Sequence, residues 1–187
     1  EQYPERLRQI PDSPLFLYLE GSVPLLSNPG VAVVGSRKCT KYGREATRDI
    51  AEGLSRSGIT IISGLAYGID RQAHMSGLRG PGSSVAVLGA GLDVDYPSGN
   101  TDVRAMLRDE GAVVTEYGPG TQPDPKHFPV RNRIISGLAL GVVVVEAAKR
   151  SGSLITARLG LEAGREVFAV PGPIQSESYA GCHKLIN

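Results

Sequence analysis

The 187-residue chain has no tryptophan, three phenylalanines and only two cysteines, Cys39 and Cys182. Two isolated cysteines make neither a disulfide framework nor a zinc-ligand spacing, so a reducing, cytoplasmic setting is expected. Long apolar runs are also missing: none approaches the length of a membrane span, and no signal-peptide pattern is present. No membrane partner is expected. An excess of charge of one sign is missing as well. With 20 Lys and Arg against 19 Asp and Glu, the formal net charge is +1, which excludes a diffusely basic surface. Any nucleic-acid binding must therefore rest on a local cluster of cations. The chain opens at Glu1 without methionine and stops at Asn187, which reads as a piece of something longer.

What the chain has in quantity is glycine, 24 residues, many placed just after short apolar segments. VAVVG at 31–35, ITIISG, SVAVLG, AVVTEY, the β-branched run Val142–Val145 and EVFAVPG read as buried strands. Between them lie helical patterns at Tyr42–Ser57, through Asp70 and Ala73 to Leu78, and at Thr101–Arg108. Another helix should begin at Ser151–Ser153, and a last one near Gly181. Strands alternating with helices require right-handed crossovers, hence an α/β fold: a doubly wound, mostly parallel, three-layer sheet of extended Rossmann-like type. Residues 1–30 form a preamble with five prolines and one short edge strand at Leu15–Leu19, packing on a main domain at 31–187. Gly118–Pro129 reads as a proline-rich loop.

In such sheets ligands bind outside the carboxyl ends of the strands. Small residues at six of those ends describe a long, shallow crevice. GSR after the first regular strand lacks the G-x-G-x-x-G spacing, and no acidic residue ends the next strand, so a nicotinamide dinucleotide is disfavoured. Gly35 would let a ligand approach the backbone, Ser36 can donate a hydroxyl, and Arg37 offers a fork for phosphate. Ser151, Gly152 and Ser153 open a helix whose free N–H groups and dipole suit an anion. Ser63 and Gly64 could seat another phosphate; the alternative is a plain helix start, with Asp70 and His74 as a local hydrogen-bonded pair. In PDPKHFPVRNR, Lys126, Arg131 and Arg133 bracket Phe128, which supplies charge for a backbone and a ring for a base, the needs of single-stranded nucleic acid. Asn132 lies between the two arginines. Asp93, Asp95, Glu116 and Glu146 fall near strand ends without the lysine or histidine partners of a two-metal nuclease, so capping roles are expected and no metal or cofactor is assigned.

In order, YPERL, LYLEG, VAVVGSR, SGLAYGID, AVLGAGLDVDYP, HFPVRNRIISGL, VVEAAKRSGSLITA and GREVFAVPG resemble the DprA/Smf (DNA-processing protein A) family. The likeness covers essentially the whole chain. It departs at the close, where the family's G-x-N-x-LI reads Gly181-Cys182-His183-Lys184-Leu185-Ile186, with histidine in the asparagine place. The resemblance implies a Rossmann-like domain that binds single-stranded DNA, works as a homodimer and loads the RecA recombinase in natural transformation. It also implies flanking N- and C-terminal domains and no catalysis. Carried over residue by residue, the DNA-binding set is Gly35, Ser36, Arg37, Lys126, Phe128, Arg131, Asn132, Arg133, Ser151, Gly152 and Ser153. The competing enzyme is a nucleotide phosphoribohydrolase of the LOG type. That family wants P-G-G-x-G-T-x-x-E, and here SGSLITA puts Ala157 where the glutamate would act. A small-nucleotide sensor is a third class.

Overall fold

The computed structural model describes residues 3–187; Glu1 and Gln2 of the preamble lie outside the described residues. Seven strands form one sheet: β1 (Tyr18–Gly21), β2 (Gly30–Val34), β3 (Thr60–Ser63), β4 (Ser84–Val87), β5 (Ala112–Thr115), β6 (Gly141–Val144) and β7 (Glu166–Ala169). Their spatial order is β1-β5-β4-β3-β2-β6-β7. Every pairing is parallel except β1 with β5. The edge strand of the preamble thus starts at Tyr18 rather than Leu15. Tyr18 faces Thr115 in the register, and Leu15 is left 95% exposed.

The helices are α1 (Glu5–Arg8), α2 (Lys41–Arg56), α3 (Ile69–Gly77), α4 (Thr101–Glu110), α5 (His127–Leu138), α6 (Ser153–Glu162) and α7 (Ala180–Ile186). Each strand is buried on both faces at the sheet centre, and alternate residues serve opposite layers. Ala32 and Val34 pack in one core with Ile134, Ile135 and Leu138 of α5 and Ala157 of α6. Val33 packs in the other with Ala51 of α2 and Ile69 and Ala73 of α3. A further cluster joins Ala86 and Val113 to Val103 and Leu107 of α4. Leu7 of α1 is fully buried in the first core, against Gly137 of α5, where a Cβ would come within 2.8 Å of it.

The region expected as loop through Pro129 is helical from His127 onward. Proline is tolerated in a first helical turn, because the N–H it lacks would have no intrahelical partner there. The consequence is large: Phe128, Arg131, Asn132 and Arg133 are carried on a helix with fixed directions, not on a mobile loop.

Candidate nucleic-acid interface

The chain builds β2, β3, β4 and β5 outward in one direction, then returns to place β6 beside β2. The β2/β6 junction is the topological switch point, where the loops leaving the two strands diverge and open a crevice. An open cleft of about 620 Å³ lies there. Gly35, Ser36 and Arg37 line one side and Arg150, Ser151, Gly152 and Ser153 the other, with Phe128, Arg131 and Asn132 of α5 also in its wall. Segments more than a hundred residues apart in sequence are thereby brought together.

The loop after β2 is held from below. The Ser36 carbonyl accepts from the Ile69 N–H (3.1 Å), and Ser36 Oγ accepts from the Lys38 N–H (3.2 Å). Glu146, at the end of β6 and fully buried, accepts through Oε2 from the Thr40 N–H (2.9 Å), Thr40 Oγ1 (2.8 Å) and the Tyr179 hydroxyl (3.1 Å). Thr40 Oγ1 in turn accepts from the Gly43 N–H and caps α2. Gly35 lines the cleft and also serves packing. A Cβ there would meet Ile69 Cγ1 at 2.7 Å and the Glu146 carbonyl at 3.0 Å.

Arg37 is exposed, with its guanidinium 5.6 Å from the centroid of the Phe128 ring. Phe128 is half-buried and stacks on Tyr96 with centroids 5.6 Å apart. It is thus neither a core residue nor a free one: one side is fixed by protein contacts, and the ring lines the cleft.

Arg131 lines the cleft but is largely committed to the protein's own carbonyls. It is 5% exposed and donates through Nη1 to the Gly64 carbonyl (2.8 Å) and to the Val87 carbonyl. It therefore staples the carboxyl ends of β3 and β4. Burial pulls its pKa down to about 10, against the attraction of Asp70. Asn132, also buried, accepts from Arg131 Nε (3.2 Å). Arg133 is not brought to the cleft. Its Nη2 donates to Glu116 (2.6 Å) and its Nε to Asp12 (3.0 Å), so it ties α5 to the end of β5 and to the preamble. Lys126 is exposed just ahead of α5, next to Pro125, which does line the cleft.

The β3–α3 turn cannot seat a phosphate, because an internal carboxylate already occupies that place. Asp70 accepts from the N–H groups of Gly64 (3.2 Å) and Ala66 (3.4 Å), and Ser63 Oγ is spent on the Val33 carbonyl. Asp70 and His74 are not a bonded pair. His74 Nε2 accepts from the Leu65 N–H (3.2 Å), which leaves Nδ1–H to donate to Ser84 Oγ (2.7 Å). Leu65, from whose N–H the ring accepts, lies in the left-handed region at φ 56. Burial, assisted by Arg131, pushes the His74 pKa down to about 3, so the ring is neutral. Burial raises the Asp70 pKa, and the cation at Arg131 opposes that shift.

At the start of α6 the N–H groups are less free than the sequence suggests. Ser153 N–H donates to Ser151 Oγ (3.4 Å), and those of Leu154 and Ile155 donate to the Ser151 and Gly152 carbonyls. The turn still offers two hydroxyls linked at 2.8 Å and the positive end of the helix. A Cβ at Gly152 would meet nothing within 4 Å.

The remaining carboxylates work separately. Asp93 accepts from the Gly120 N–H (2.8 Å), Asp95 from Thr101 Oγ1 (2.9 Å), and Glu116 pairs with Arg133. Arg150 is a charged cleft residue that sequence reasoning passed over, as it did Tyr96. The signal for Arg150 was its position beside SGS. Many cations elsewhere are paired, as Arg71 is with Asp102, Arg79 with Glu52 and Arg158 with Glu162. No ion pair engages Arg37, Lys126 or Arg150 among the described residues.

The sequence model for the family described as DNA recombination-mediator protein A matches residues 1–187. The chain belongs to that family. It is 49% identical over 184 residues to the DNA processing protein DprA of Streptococcus pneumoniae, covering 98% of this chain and 65% of the relative. Protein Smf of Escherichia coli is also 49% identical, over all of this chain and 50% of its own length. The chain thus spans between half and two thirds of these relatives. The X-ray structure of the pneumococcal DprA superposes with a TM-score of 0.95 at 48% identity, covering 100% of this chain and 65% of that one. DprA from Helicobacter pylori, whose structure is described as giving its single-stranded DNA binding mode, superposes with a TM-score of 0.93 at 29% identity. There the cover is 100% of this chain and 85% of that one.

Proposed function

We propose that this chain binds single-stranded DNA in the switch-point cleft, without cutting it, and presents the strand to the RecA recombinase. One observation carries the reading. The unpaired cations Arg37 and Arg150, the ring of Phe128 and the dipole end of α6 converge on one open cleft. Cations along a groove take the phosphates, and an aromatic takes a base without regard to sequence. The relative from H. pylori, described by its single-stranded DNA binding, supports the same ligand for this family. Work in the cytoplasm, as a homodimer within a longer protein that serves natural transformation, completes the proposal.

Hydrolysis is disfavoured by a specific residue. Ala157, standing where a LOG-type glutamate would act, is fully buried in the core beneath α6 and cannot reach the cleft. Release of free base from AMP by the purified chain would reverse that judgement.

The deciding test is fluorescence anisotropy with single-stranded, duplex and mononucleotide probes. Among the described residues no basic helix or ribbon projects to enter a major groove, so single strands should bind well ahead of duplex of equal length. Mononucleotides should compete poorly. Equal affinity for duplex, or tight binding of the mononucleotide alone, defeats the reading. The recombinase step is tested apart, by whether the chain speeds RecA assembly on a single strand.

A further inference from the structure

A second groove of about 490 Å³ adjoins the cleft, and Ala148 and Arg150 line both. Lys149, Arg150, Ile174, Gln175 and Glu177 are the lining side chains that matter. Lys149 and Arg150 form a ridge between the two depressions; both are exposed, and neither makes an ion pair among the described residues. The outer wall is the segment after β7, and it is firmly built. Ser176 N–H donates to the Pro173 carbonyl (2.9 Å), Tyr179 N–H to the Ser176 carbonyl (3.0 Å), and Gly181 N–H to the Ala147 carbonyl (2.7 Å). On that fixed wall Ile174 stands 88% exposed, an apolar surface that nothing among the described residues covers.

Resting on the single-stranded DNA reading above, we propose that a longer strand leaves the cleft across the Lys149–Arg150 ridge and continues into this second groove. Three features select that occupant. Unpaired cations on the ridge match a phosphate backbone, and the shared wall makes the two depressions one track. Ile174 and the amide of Gln175 offer a base an apolar face and a polar contact that does not discriminate sequence. Glu177, exposed on the far wall, repels phosphate and keeps the backbone on the Lys149 side.

The test compares two oligothymidylates, of about 5 and about 15 nucleotides, near the two ends of common single-strand site sizes. Wild type, Lys149→Ala and Glu177→Gln are titrated by anisotropy over a range of salt. Both side chains are exposed, and a melting curve checks that each variant is folded. Lys149→Ala should bind the short probe as wild type does and the long probe roughly three- to tenfold more weakly at low salt. Its long-probe slope should be shallower by about 0.7, the loss of one phosphate contact. Glu177→Gln should tighten the long probe only. Equal effects of Lys149→Ala on both probes, or on neither, overturn the extended track while leaving the cleft reading intact. Failure of wild type to bind either probe sinks both.

Discussion

Arg37, Arg131 and Arg133 look alike in the sequence and differ in what surrounds them. Arg131 sits beside a buried carboxylate and two strand-end carbonyls. Arg131→Ala would leave Asp70 without its compensating cation, and a loss of about 3–5 kcal/mol is expected from a denaturant melt. Arg133→Ala breaks pairs with Glu116 and Asp12 but removes nothing from the cleft. It should leave the salt dependence of DNA binding unchanged, as a titration against the wild type will read. Phe128→Ala should weaken binding by about 1–3 kcal/mol at every salt concentration, because stacking is not an ionic contact. Binding equal to wild type would return the ring to a purely structural role beside Tyr96. The sequence showed which residue types gather near Phe128. It could not show which arginine is buried, because the carbonyls that bury Arg131 come from Gly64 and Val87, far away in the chain.

At the scale of elements, the strands were legible because a short, unbroken β-branched run ending in glycine suits a buried strand and little else. The start of α5 was not, since a proline at its third residue mimics a loop. The β3–α3 turn looked like a phosphate seat, and its carboxylate occupant could be seen only once α3 was in place. That turn carries its own pH dependence. His74 is neutral when folded, with a pKa near 3 against 6.5 for a free ring. The unfolded chain therefore binds the extra proton first as pH falls below 6.5, and stability declines toward pH 3. One such group accounts for about 2 kcal/mol lost between pH 7 and pH 5. His74→Gln, melted across that range, should show a correspondingly shallower decline. An unchanged decline would mean that the ring does not stay neutral on folding. Asp70 has the opposite sign, and the comparison of variant with wild type cancels it.

For the whole molecule, a net charge of +1 hides an uneven distribution. Most arginines away from the cleft are tied to carboxylates, while Arg37 and Arg150 at the switch point make no ion pair among the described residues. The fold supplies the place, and the pairing pattern supplies the sign. The salt dependence of affinity for a single strand tests this most directly. With Arg37, Arg150 and Lys126 each meeting one phosphate, the log–log slope should be about −2. Arg37→Ala should flatten it by about 0.7. A wild-type slope near zero, or a slope that Arg37→Ala leaves unchanged, would contradict the assignment of this cleft to a nucleic-acid backbone.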